Sequence, residues 1–245
     1  MARVRPILLV HGAWHGAWCW AALQAELDRR GIPSYAVDLP GHGLSLLPLG
    51  DLHGDAAHVA AALDVVAATN ETDEVLLVGH SYGGAVITHA CGPAHAVAGR
   101  VAHLVYLTAF ALDDGESVRG FGRSRPRREL ALDKAVIAGD DGTSRIDPDA
   151  APAAFYGSCP PAAVSAAVAR LGPQPVAAFQ QPVAGSPRAS IASTFVRCTL
   201  DEAIAIERQD ELAARCARVV TLECDHSPFL AMPTAVADVL EPLAR

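Results

Sequence analysis

The 245-residue chain has no uninterrupted apolar run of about 18 residues, so no membrane span is expected. Nor does it open on the basic segment, long apolar stretch and cleavage site of a secretory signal. Met1 is followed almost at once by the apolar run Ile7 to Val10. A soluble, cytosolic protein is expected. The cysteines (Cys19, Cys91, Cys159, Cys198, Cys216 and Cys224) form no C-x-x-C pair. In a reducing compartment they read as buried free thiols rather than disulfides. Lysine and arginine form no stripe interleaved with aromatics, and the formal net charge is −8, so nucleic acid is not an expected partner. The one basic cluster, Arg119 to Arg128, is flanked by Gly and Pro and reads as a solvated loop. No G-x-G-x-x-G or Walker pattern implies a nucleotide cofactor. His11 and His15 have the spacing of a helical metal pair, but H-E-x-x-H is absent and Gly12 and Gly16 break any helix there. No metal or other cofactor is expected. There is no internal repeat.

What is present is a globular composition, 51% hydrophobic and 19% charged, long enough for one α/β domain with an insertion. Short apolar runs predict strands at Ile7–Val10, Ser34–Val37, Val75–Val78, Val101–Leu107, Ala192–Cys198 and Val219–Leu222. Helical patterns separate them, over Trp18–Arg30, Asp55–Thr69, Tyr82–Cys91, Ile204–Arg215 and about Thr234–Leu243. This alternation predicts a six-stranded, mostly parallel sheet with helices on both faces. From Ala111 to about Arg188 the pattern changes to Gly, Pro and charge. Only short helices are expected there, Arg128–Ile137 and Ala162–Leu171, and no strand of the same quality. The stretch is too long for a plain loop. It reads as a cap, 111–188, inserted into a core made of 1–110 and 189–245.

The chemistry centres on Val75 to Ala85, V-L-L-V-G-H-S-Y-G-G-A. Here G-x-S-x-G stands between a strand and a helix, the context that gives the motif meaning. A strand turning sharply into a helix strains its central residue, and only small neighbours fit. Ser81 is therefore the expected nucleophile. Asp201 follows the fifth strand and His226 follows the sixth. In a parallel sheet the strand C-termini share one edge, so the three side chains can meet. A serine hydroxyl needs an imidazole to take its proton, and the imidazole needs a carboxylate to orient it. Glu202, Asp113 and Asp114 are rival acids, the last two at the end of the fourth strand. An oxyanion hole needs two N–H donors aimed at one point. The expected pair is the amide of Tyr82, after the nucleophile, and that of Ala13, in the Gly-rich loop after the first strand. His11 and His80 read as loop braces. Trp14 and, in the cap, Phe121, Phe155, Tyr156 and Phe179 are the candidate pocket residues.

These residues fall in segments that resemble the α/β-hydrolase superfamily: H-G-A-W-H-G-A-W-C-W (His11–Trp20), D-L-P-G-H-G-x-S (Asp38–Ser45), G-H-S-Y-G-G (Gly79–Gly84), C-T-L-D-E-A-I (Cys198–Ile204) and D-H-S-P-F-L-A-M-P (Asp225–Pro233). Within it the chain is similar to the group of plant methyl esterases, plant hydroxynitrile lyases and bacterial esterase-like relatives. The resemblance spans most of the core and is weakest over the cap. It implies an α/β-hydrolase fold with a six-stranded core lacking the first strands of larger hydrolases. It also supports Asp201 as the acid, through the C-T-x-D segment. The plant lyases of this group carry threonine after the first histidine and lysine after the catalytic one. Gly12 and Ser227 stand there instead, so the resemblance implies an esterase. The expected activity is hydrolysis of a small or medium ester. A carbon–carbon lyase or natural-product tailoring enzyme with the same triad is the first rival, and a ligand-binding sensor the second. The expected partner is a small-molecule substrate, and oligomeric state is left open by the sequence.

Overall fold

Among the described residues nine strands form two sheets, and the strand bearing Ser81 at its end lies inside the larger one. The computed structural model describes residues 4–123 and 128–245; Ser124 to Arg127 of the basic cluster lie outside the described residues. In chain order the strands are β1 (Ile7–Val10), β2 (Ser34–Val37), β3 (Val75–His80), β4 (Val101–Leu107), β5 (Val136–Ala138), β6 (Thr143–Ile146), β7 (Gln174–Pro175), β8 (Ser193–Cys198) and β9 (Arg218–Leu222). The larger sheet has the order β2-β1-β3-β4-β8-β9. Every neighbouring pair in it is parallel. The winding reverses between β1 and β3, so the loops leaving their C-terminal ends diverge and open a crevice. The register sets Val10 opposite Gly79. The His11–His15 loop and the turn at Ser81 therefore begin side by side.

The helices are α1 (Ala21–Arg29), α2 (Leu52–Thr69), α3 (Gly83–Ala90), α4 (Val118–Arg123), α5 (Ala131–Ala135), α6 (Ala151–Phe155), α7 (Pro161–Val168), α8 (Ile206–Ala213), α9 (Pro228–Ala231) and α10 (Pro233–Ala244). Alternation along the strands divides the core into two layers. Ile7, Leu9, Leu76 and Val78 pack with Leu23 and Leu27 of α1 and Val236 and Leu240 of α10. Leu8, Val10 and Leu77 face the other way, with Leu63 of α2 and Val86 of α3. Each such leucine or valine contributes roughly 1.5–3 kcal/mol by leaving water. Asp51 caps α2, its carboxylate accepting from Gly54 N at 2.8 Å. Among the described residues, no helix is long and apolar enough to cross a membrane.

The segment between β4 and β8 departs from the sequence-based expectation. It holds a three-stranded antiparallel sheet of order β5-β6-β7. The helix expected over Arg128–Ile137 is confined to α5, and the chain continues directly into β5. Val136 and Ile137 are β-branched and favour the extended form. β7 has only 2 residues, one of them Pro175, and pairs with a strand far away in sequence. Strands so short leave no periodicity to read.

Candidate active site

Ser81 closes β3 with φ 52°, in the left-handed region that costs a serine backbone energy. Three hydrogen bonds hold it there: Gly84 N and Phe110 N donate to Ser81 O at 3.0 and 3.1 Å, and Ser81 N donates to Leu107 O at 3.4 Å. The glycines around it are steric requirements. A Cβ at Gly79 would lie 2.5 Å from Gly83 O, and one at Gly83 would lie 2.7 Å from both Val10 O and His11 O.

His226 Nδ1 lies 2.7 Å from Asp201 Oδ2, and both residues are buried. A carboxylate only accepts, so in the neutral ring Nδ1 carries the proton and Nε2 keeps its lone pair. Asp201 is itself fixed. Its Oδ1 accepts from the amides of Ala203 and Ile204 at 2.7 and 2.8 Å, and its Oδ2 accepts from Thr108 Oγ1 at 2.5 Å. The rival carboxylates have other partners. Asp113 pairs with Arg188 and Arg215 at 2.5 and 3.5 Å, Asp114 accepts from Gly185 N at 2.6 Å, and Glu202 pairs with Arg128 at 3.0 Å. His226 adjoins the turn at Ser81. Its carbonyl accepts from His80 Nε2 at 2.8 Å, and the two rings stand 4.6 Å apart.

The loop after β1 is braced by its own histidines. His11 Nδ1 donates to Gly12 O at 2.8 Å, and His15 N donates to the same oxygen at 3.4 Å. The peptide is trans, so the N–H of Ala13 points the opposite way. His15 Nδ1 donates to Ala13 O at 2.8 Å, and its Nε2 accepts from Tyr156 Oη at 2.8 Å. Burial pushes the imidazole of His11 down to about 3 and that of His15 down to about 4. Burial likewise holds His80 well below the usual range. All three are neutral braces at neutral pH. The Tyr82 amide lies at the start of α3, where N–H groups lack helical partners. Among the described residues, neither it nor the Ala13 amide donates within these turns.

Ser81, Tyr82 and Ala13 share the wall of a cavity of about 420 Å³, together with Trp14, Phe110 and Phe179. The rest of the wall is mainly apolar, from Val118, Leu132, Val136, Val176 and Ile204, with Arg119, Asp133 and Ser144 as its other polar members. His226 and Asp201 are not on this wall. Phe121, Phe155 and Tyr156 are not on it either. Phe121 packs edge-on to Phe110 and under the Arg215 guanidinium. Phe155 packs against the rings of His15 and His226, and Tyr156 is held by its bond to His15. Among the described residues, no group of three or more His, Cys, Asp or Glu side chains is placed to hold a metal ion.

Residues 7–239 match the family model described as "Alpha/beta hydrolase family". The chain belongs to the alpha/beta hydrolase family. This hydrolase-family chain is 40% identical to a carbendazim hydrolyzing esterase of Nocardioides sp. (strain SG-4G), over 45% of its own length and 44% of the relative's. Of a putative chloroplastic methylesterase of Arabidopsis thaliana it covers 57%, at 25% identity. It thus spans about half the length of these curated relatives. Among solved structures it resembles the methylesterase MES16 of Arabidopsis, at 27% identity, TM-score 0.77 and 97% coverage of both chains. It also resembles a pyrethroid hydrolase of Sphingobium faniae JZ-2, at 25% identity, TM-score 0.81 and 98% and 97% coverage.

Several polar residues around the site escape a sequence reading. Thr108 stands at the C-terminal end of β4 and obeys the same strand-end rule that singles out Asp201 and His226. Asp55 is buried on α2 and accepts from Tyr82 Oη at 2.7 Å. Ser144 and Gln174 reach Trp14 from sequence separations of 130 and 160 residues, with no local signal.

Proposed function

We propose that the chain is a serine hydrolase that cleaves a small or medium carboxylic ester through an acyl-enzyme on Ser81. The observation that carries this reading is the 2.7 Å bond from His226 Nδ1 to a buried, multiply bonded Asp201. It leaves Nε2 as a base next to the strained turn that presents Ser81. In the proposed reaction Nε2 takes the Ser81 proton as Oγ attacks the ester carbonyl. The imidazolium is stabilised by Asp201 and returns the proton to the departing alcohol. The amides of Ala13 and Tyr82 receive the oxyanion, where each such donor is typically worth about 10²–10³ in turnover. Water, activated by the same imidazole, then releases the acid. Relatives named as esterases and methylesterases support the reading.

We read residues 111–188 as a cap that closes the apolar cavity over Ser81 and selects the substrate. β5 contributes Val136 and Ala138 to that wall, and Phe179 contributes a ring. The free state of all six cysteines fits a cytoplasmic location.

The test is hydrolysis of short p-nitrophenyl esters together with labelling by a fluorophosphonate. Wild type is expected to hydrolyse the esters and to take the label on Ser81. Ser81→Ala is expected to lose both, and His226→Ala to lose the label. Equal rates in wild type and Ser81→Ala would overturn the mechanism.

A further inference from the structure

We propose that Gln174 and Ser144 are positioning residues for the oxyanion loop, acting through Trp14; the inference rests on the reading of Ala13 as an oxyanion donor. Trp14 follows Ala13 directly and has φ 63°, a conformation that a bulky residue does not adopt unaided. The segment containing β7 supplies the restraint. Gly172 N donates to Trp14 O at 2.8 Å, and Trp14 N donates to Gln174 Oε1 at 3.4 Å. The indole Nε1 donates to Ser144 Oγ at 3.2 Å, and that hydroxyl donates to Gln174 O at 3.3 Å. Both backbone groups of Trp14 and its ring are therefore tied to β6, β7 and the turn before β7 in the small antiparallel sheet.

The tie bears on the neighbouring amide. The peptide joining Ala13 to Trp14 is held at both ends, by His15 Nδ1 on its carbonyl and by Gln174 Oε1 on its N–H. The peptide joining Gly12 to Ala13, which carries the proposed donor, is held on its carbonyl side by His11. Two rigid planes meet at the Ala13 Cα and turn against each other only about its φ and ψ, so holding the second plane while His11 holds the carbonyl of the first narrows the directions open to the Ala13 N–H. Gln174 is fully buried, and among the described residues its Nε2 has no partner. An unmade buried hydrogen bond is unfavourable. The amide is oriented by its Oε1, which accepts from the Trp14 N–H. The Ala13 donor is thus aimed in part from outside its own loop, by residues of the segment between β4 and β8.

The test uses the full chain with Gln174→Leu and Ser144→Ala. Each is assayed on a p-nitrophenyl ester and with two inhibitors of the same acyl chain. A trifluoromethyl ketone adds to Ser81 and forms an oxyanion; the product acid does not. Gln174→Leu is expected to lower kcat about tenfold or more, short of the roughly 10²–10³ for complete loss of a donor. Ketone affinity is expected to fall by the same factor, while KM and acid affinity stay within about threefold. Ser144→Ala is expected to show the same pattern at about three- to tenfold, on the same logic of transition-state binding. Gln174→Glu, which keeps an oxygen toward the Trp14 amide, should recover part of the loss. Folded variants that keep wild-type kcat and ketone affinity overturn the proposal, as does a fall in kcat without a fall in ketone affinity. If Gln174→Leu does not fold, Ser144→Ala decides by the same readout. Wild type that takes no fluorophosphonate label refutes the hydrolase reading itself; labelled wild type with unaffected variants refutes only the clamp.

Discussion

At the scale of single residues, Asp201 is held by four donors: Thr108 Oγ1, His226 Nδ1 and the amides of Ala203 and Ile204. Replacing a carboxylate oxygen by an amide NH₂ at such a site forces the histidine into the wrong tautomer. Asp201→Asn is therefore expected to lower kcat by roughly 10⁴. Asp113→Asn and Asp114→Asn should stay within about threefold of wild type, because their partners are Arg188, Arg215 and a loop amide, away from the histidine. Steady-state kinetics of the three variants decides, and the reverse ranking would move the acid to the end of β4. Thr108 was missed, although the rule that places functional groups at strand C-termini covers its position. Asp55 was not legible, because a carboxylate on an alanine-rich helix looks like an ordinary exposed residue until the packing is known.

At the scale of elements, Asp55 joins α2 to the start of α3 through Tyr82. Burial raises its carboxyl from the usual carboxylate range to about 7. The folded state therefore binds a proton that the unfolded state releases near pH 4, so stability falls as pH rises from about 4 to about 7 and then levels off. The span is worth up to about 4 kcal/mol at about 1.4 kcal/mol for each unit. Asp55→Asn keeps an oxygen for the tyrosine hydroxyl and removes the titration. Its melting temperature is expected to exceed that of wild type at pH 8, with the gap shrinking steadily toward pH 4. Thermal unfolding across that range checks it; a pH-independent gap would mean that Asp55 is charged throughout. The core strands were readable because each is a short run rich in apolar and β-branched residues between helical patterns. The small sheet of β5, β6 and β7 was not, since its stability comes from pairing across long sequence separations and not from local pattern.

For the molecule as a whole, the cavity lies between the parallel sheet and the segment that follows β4, and its wall is mainly apolar. On the esterase reading, each acyl methylene that enters it gains about 0.8 kcal/mol, or about fourfold in kcat/KM. The p-nitrophenyl acetate, butyrate and hexanoate series is expected to rise accordingly, and Phe179→Ala to flatten the rise. A flat series in wild type would place the acyl chain outside this cavity. The sequence by itself determined the parallel alternation, the strained G-x-S-x-G turn and the three strand ends at which Ser81, Asp201 and His226 stand. These follow from local periodicity and from steric rules that hold within a few residues. Only the tertiary structure decided which carboxylate meets His226, which aromatics reach the cavity, and that Gln174 and Ser144 grip Trp14. Those are contacts between residues far apart in the chain, and what selects them is packing: a buried polar group must find a partner wherever the fold brings one.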